Sequence, residues 1–198
     1  AVSVISGGST GIGLASAERL AVGGGRIALL GRRRDALDHA GKAVMAAGAE
    51  DALALSTDVT KDDEVAAAFE SIEAKWGEVH ALVNAVGPAG AGRFEDLSDE
   101  GWLRAFDTGV LTAVRCVRHA LPLMRRAKWG RIVNVTAVSV QHQSTGLIAY
   151  TAAKSALASI TKNLARSLAA EGILVNAVAP GPVLTAPIRA CLLYTSDA

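Results

Sequence analysis

The chain has 198 residues, 51% of them hydrophobic and 20% charged, with 20 glycines, few aromatics and a formal net charge of +1. That length fits one domain able to bury a sizeable core, and the composition suits an Ala/Val/Gly-rich α/β fold, which excludes disordered and fibrous chains. Local basic clusters such as Arg32-Arg33-Arg34 are interspersed with acids and build no broad basic face, so nucleic acid is not an expected partner.

The chain alternates short apolar runs, often β-branched, with longer helical patterns, and each short run reads as a buried parallel strand. In order, the reading predicts a strand at Val2 to Ser6, a helix near 12 to 23, a strand at Arg26 to Leu30 and a helix near 33 to 47. A strand at Ala52 to Thr57 and a helix near 61 to 76 follow. Val65, Phe69, Ile72 and Trp76 recur there at helical spacing, and Thr60 is the expected N-cap ahead of three acids. Next come a strand at Val79 to Asn84, the loose stretch Gly87 to Gly92, one long helix near 99 to 127 and a strand at Arg131 to Thr136. The last helix, near 150 to 170, carries a stripe of Tyr150, Ala153, Leu157, Ile160, Leu164 and Leu168. Gly172 is its expected left-handed cap, ahead of a strand at Ile173 to Val178. Such a series implies an open parallel sheet wound on both faces, a single three-layer α/β/α domain over residues 1–190. Ligands of such sheets bind beyond the carboxyl ends of the strands.

Cys116 and Cys191 form no CxxC pair or Cys/His cluster, so neither a disulfide framework nor a zinc site is expected, and a reducing cytoplasm is the default location. No stretch approaches the ~18 consecutive apolar residues of a spanning helix, and the N-terminus lacks signal-peptide regions, so no membrane partner is expected. The first residue is not Met and the first strand begins abruptly, which implies that a few leading residues are missing. The closing segment, Cys191 to Ala198, breaks the preceding pattern and resembles a translated transposon adapter from sequencing libraries. It is read as a non-native tail on a C-terminally truncated domain.

Two motifs carry the chemistry. The glycine run Ser6-Gly7-Gly8-Ser9-Thr10-Gly11-Ile12-Gly13 follows a strand and opens a helix, the setting of a phosphate-binding turn. Gly7 permits the turn, Gly11 lets backbone approach a pyrophosphate, and Gly13 lets the helix pack close, while the helix N-terminus offers N–H groups and positive dipole. In YTAAK, Tyr150 and Lys154 stand at i and i+4 on one helix face, so an ammonium can lie beside a phenol, favour its ionised form and tune it for proton transfer.

The GxxxGxG spacing together with YxxxK resembles the short-chain dehydrogenase/reductase family, and the resemblance runs from Val2 to about Arg189. Asp58-Val59 matches the family's adenine-contacting acid, Asn84-Ala85-Val86-Gly87 its NNAG, and Pro180 to Thr185 its PGxxxT near the nicotinamide. The resemblance implies a Rossmann-like fold and a dinucleotide held by Gly7, Ser9, Thr10, Gly11, Ile12, Gly13, Arg32, Asp58, Val59, Asn84, Ala85, Gly87, Tyr150, Lys154, Pro180, Gly181, Val183 and Thr185, with no metal. At the end of the second strand no acid stands to receive ribose hydroxyls, and Arg32 can grip a 2′-phosphate in a bidentate fork, so NADP is favoured over NAD.

By the same resemblance Tyr150 is the acid or base for a carbonyl/alcohol pair, and Lys154 binds the nicotinamide ribose and depresses the phenol's pKa. The family's serine position is Ala137 here. Ser139, which shares its parity if the chain stays extended, is the first candidate for the missing hydroxyl and Thr136 the second. Gly109 stands where the family has asparagine, a residue that also suits a helix kink. The expected activity is NAD(P)-dependent hydride transfer on a small or acyl-like carbonyl/alcohol substrate. Selectivity would lie in the loops from Gly87 to Leu97 and Val140 to Ile148. The alternative, motivated by Ala137 and Gly109, is a non-catalytic dinucleotide sensor or scaffold. The family also implies a homodimer or homotetramer, with helices around 110 to 127 and 150 to 170 paired across a two-fold axis.

Overall fold

In the computed structural model, residues 1–88 and 92–183 are described. Six strands form one sheet: β1 (Val2–Ser6), β2 (Arg26–Gly31), β3 (Asp51–Ser56), β4 (Ala81–Asn84), β5 (Gly130–Val135) and β6 (Ile173–Val178). Their order is β3-β2-β1-β4-β5-β6, every neighbouring pair parallel. The winding reverses between β1 and β4, and a crevice therefore opens between the loops that leave their carboxyl ends.

Side chains alternate across the sheet, and each set meets its own layer of helices. Ile5, Ile27 and Leu29 pack with Leu37, Ala40 and Val44 of α2 (Arg34–Ala46) and Ala17 and Ala21 of α1 (Gly11–Ala21). Val2, Val4, Leu30 and Ile132 pack on the other face with Val65, Phe69 and Ile72 of α3 (Asp62–Trp76) and with Cys116, Ala120 and Leu123 of α5 (Thr112–Ala127). The predicted apolar stripe of α3 is thus the face it buries. Leu168 at the end of α6 (Ile148–Leu168) joins the same core, and Gly172 closes the following one-turn 3₁₀ helix at φ 74°.

Two details depart from the sequence-based expectations. Thr60 does not cap α3. Lys61 is the N-cap, without a side-chain bond, while the Thr60 hydroxyl donates to Asp58 Oδ1 at 2.8 Å. The helix expected over 99–127 is continuous but not uniform: α4 (Asp99–Phe106) and α5 are joined by a wide π turn over Asp107–Leu111, centred on Gly109. Among the described residues, no helix is long and apolar enough to cross a membrane.

Candidate active site

Beyond the carboxyl ends of β1 and β4 lies a cleft of about 1120 Å³. One half is built from the turn after β1. Gly7 (φ 77°) and Gly11 (φ 55°) adopt left-handed backbone that other residues rarely reach. A Cβ on Gly13 would run into the Gly7 carbonyl, so this glycine lets α1 seat directly on the turn. Gly8 is equally constrained, since a Cβ there would stand 2.8 Å from Leu29 Cδ2 and 2.9 Å from the Ile5 carbonyl. Thr10 precedes α1 without capping it, and no acid stands in the first turn, so the leading N–H groups and the positive helix end face the cleft. This glycine cradle would be filled by side chains in any other sequence, and it fits the pyrophosphate of a dinucleotide.

The nucleotide end of the cleft is closed by Gly31, Arg32, Arg33 and Asp58. Strand β2 ends at Gly31, and a Cβ there would lie 3.1 Å from Ser9 Oγ, so the wall between turn and strand stays open. Burial pushes the Asp58 carboxyl up, but the hydrogen bonds from Thr60 and the nearby Arg32 charge outweigh it, and the group ends below its ordinary value. An ionised acid and a guanidinium therefore flank the place where an adenosine would lie.

The other end brings in α6. Tyr150 lines the cleft, half-buried, and burial raises its phenol above the ordinary value. Lys154 is 2% exposed one turn further on. Its Nζ donates to the Val135 carbonyl at 2.7 Å and to that of Val86 at 3.4 Å, and burial lowers its pKa to about 8. The expectation that Lys154 depresses the phenol's pKa is therefore corrected: the ammonium is turned to two strand-end carbonyls, and desolvation alone sets the direction at Tyr150. Gly87 makes room for this, because a Cβ there would stand 3.0 Å from Lys154 Nζ.

Of the residues expected to hold a cofactor, Gly7, Ser9, Thr10, Gly11, Ile12, Gly13, Arg32, Asp58, Val59, Ala85, Gly87 and Tyr150 all line this cleft. Lys154 lies behind the lining, under Gly87. Asn84 is 3% exposed and does not line the cleft; its Nδ2 donates to Asn134 Oδ1 at 2.9 Å, and Asn134 Nδ2 donates to Thr161 Oγ1 at 2.9 Å. The side chain thus ties β4 to β5, and through Asn134 to Thr161 of α6, since neighbours in register on parallel strands share one sheet face. Pro180, Gly181 and Val183 are also outside the lining, and Pro180 gives its carbonyl to the Val138 N–H at 3.0 Å. Thr185 and the segment Cys191 to Ala198 lie outside the described residues.

The hydroxyl expected near Ala137 does not reach the cleft. Val138–Val140 turns into a 3₁₀ helix, so the alternation on which Ser139 was chosen does not hold. Ser139 is 7% exposed, its Oγ has no hydrogen-bond partner among the described residues, and it is not in the lining. Thr136 Oγ1 is committed to the Val178 carbonyl at 2.9 Å. Sequence reasoning missed Gly101, Arg104, Ala105 and Thr108, which line the cleft together with Leu97 of the expected selectivity loop. The helical spacing of Gly101, Arg104, Ala105 and Thr108 was the available signal, because it puts them on one face of α4 and the turn that follows.

The family model for short chain dehydrogenase matches residues 1–191. The chain belongs to that family. It is 33% identical over 183 residues to a D-beta-hydroxybutyrate dehydrogenase of Rhizobium meliloti, covering 92% of this chain and 71% of that one. The structure of L-sorbose reductase from Gluconobacter frateurii, complexed with NADPH and L-sorbose, superposes with a TM-score of 0.93 at 32% identity, covering 99% of this chain and 75% of that one. NAD+-bound xylitol dehydrogenase superposes with a TM-score of 0.86 at 31% identity over 91% and 69% of the two chains. The family's Rossmann-like sheet, its binding of NAD(P) and its dehydrogenase/reductase activity on alcohol and carbonyl groups are therefore those of this enzyme.

Proposed function

We propose that the protein is an NADP(H)-dependent reductase or dehydrogenase that interconverts the carbonyl and alcohol forms of a small or acyl-like organic substrate. The observation that carries this reading is the shared cleft: the glycine cradle and Arg32 line one end and Tyr150 the other. Arg32 and Arg33 supply the fork for a 2′-phosphate, and no acid stands at the end of β2 to accept from ribose hydroxyls. When bound, NADP(H) supplies or accepts the hydride.

The chain's own residues handle the proton and the placement. With its pKa raised by burial, Tyr150 is protonated at neutral pH and is ready to donate to a carbonyl oxygen as that oxygen gains charge. Lys154 has three donors, of which two go to the Val135 and Val86 carbonyls, leaving one for a bound dinucleotide. Its stem thereby couples the ends of β4 and β5 to the turn of α6 that carries Tyr150.

The relatives' names include a hydroxy acid, a sugar and a sugar alcohol, which supports an alcohol/carbonyl pair without choosing among them. The exposed apolar side chains Leu103 and Leu111, on α4 and the π turn, support a homodimer or homotetramer, which sedimentation would reveal as a multiple of the chain mass. The activity itself is tested by mixing the protein with NADPH or NADH and a panel of ketones, oxo acids and sugars. Cofactor oxidation that depends on the added carbonyl, and is faster with NADPH, is expected. Consumption of neither cofactor with any of them would refute the reading.

A further inference from the structure

The end of the cleft near Tyr150 is apolar apart from a few groups. Pro88, Leu97, Ala105, Leu147 and Ile148 line it, with the hydroxyls of Thr108 and Tyr150 and one cation, Arg104. The other two lining guanidiniums, Arg32 and Arg33, belong to the nucleotide end. Arg104 stands on the stripe of α4 that faces the cleft, three residues beyond Gly101. A Cβ built on Gly101 would lie 3.8 Å from an Arg104 terminal nitrogen, so the guanidinium extends back along that helix face above the glycine.

Arg104 takes part in none of the ion pairs formed among the described residues. Asp107 accepts from Arg115 at 2.8 Å, and Glu100, one turn back, is held first by the Ser98 hydroxyl and only more weakly by the Arg104 charge. An exposed guanidinium that lines this cleft without a short ion pair among the described residues has five donors in a planar fork that match a carboxylate. The surrounding apolar walls lower the local dielectric once a ligand displaces water, which strengthens that pairing.

We propose that Arg104 is a specificity-determining residue, and that the substrate is an oxo or hydroxy acid whose carboxylate it grips. An apolar stretch would separate that carboxylate from the carbonyl or alcohol carbon presented to Tyr150. This rests on the reading that Tyr150 marks the reacting end of the cleft.

The test measures equilibrium binding of levulinate and longer oxo acids, each against its methyl ester, with and without NADPH. Binding and turnover are read separately. At least one acid should bind roughly tenfold more tightly than its ester, the size expected for a hydrogen-bonded charge pair. Arg104→Gln should remove that preference while leaving ester and NADPH binding unchanged, and Arg104→Lys should restore part of it. Acids and esters that bind alike, or not at all, would overturn the proposal, as would an acid preference that survives Arg104→Gln. An acid that binds through Arg104 but is not reduced while another carbonyl is would overturn the acid as substrate; if no carbonyl at all is reduced, the reductase reading falls and the Arg104 site stands.

Discussion

A Cβ placed on Gly109 would stand 2.8 Å from the Ala153 Cβ, and 3.2 Å from Pro88 Cδ. The π turn and the YTAAK segment of α6 therefore meet at a point with no room for a side chain. Helix propensity alone makes Gly109→Ala stabilising by about 1 kcal/mol, whereas overpacking costs about 1–3 kcal/mol. Packing should win. Urea unfolding of Gly109→Ala should show a net loss, and Gly109→Asn, the family's usual residue, should lose more. A gain from either would mean that the contact yields freely.

Lys154 links the site to pH. Its folded pKa of about 8 lies below the ordinary 10.5. Below about pH 8 the amine is charged in both states, and its burial weighs against the fold. Between the two values the unfolded chain keeps a proton that the folded chain has shed, so stability rises with pH. Relative to Lys154→Met, the wild type should gain on the order of 2–3 kcal/mol between about pH 7 and about pH 10.5. Thermal unfolding of both proteins across that range checks this; parallel curves would show that the amine is not desolvated.

Which residues reach the cleft was legible where local chemistry decides it. The glycine turn, the Arg32 position and the Tyr150–Lys154 pair are fixed by backbone conformation and helical spacing, and each lies in or against the cleft. Legibility failed where tertiary packing decides. Asn84 matched a motif, yet strand register turns its side chain to Asn134, which in turn donates to Thr161. Ser139 was chosen on an extended alternation that a 3₁₀ turn breaks. Arg104 was overlooked because its helical spacing with Gly101 and Thr108 marks a shared face without saying what that face covers, which only the fold shows.

The hydroxyls near Ala137 separate by the partners they make. Ser139 Oγ is buried without one, so Ser139→Ala should leave stability unchanged or raise it, and leave kcat within about twofold. Thr136→Val should cost about 0.5–1 kcal/mol of stability by removing the hydroxyl's bond to the Val178 carbonyl, which still accepts from the backbone N–H of residue 136. Ala137→Ser should raise kcat by supplying a donor at the family's position. If Ser139→Ala instead lowered kcat by about 100-fold, the size of a lost oxyanion donor, the segment would have to rearrange during turnover.

Arg32→Ala should weaken NADPH by about 1.5–3 kcal/mol, the range for hydrogen bonds to charged groups, and barely affect NADH. Cofactor titrations of both proteins measure this directly. Equal losses would make Arg32 a general stabiliser of the start of α2.

The central claim is that Tyr150 delivers the proton while the rest of the cleft holds the cofactor. Single-turnover oxidation of bound NADPH by an accepted carbonyl substrate, in wild type and in Tyr150→Phe, tests it most directly. Tyr150→Phe should bind NADPH with unchanged affinity and transfer hydride at least about 100-fold more slowly, the lower range for a lost general acid. Hydride transfer at the wild-type rate in Tyr150→Phe would contradict it.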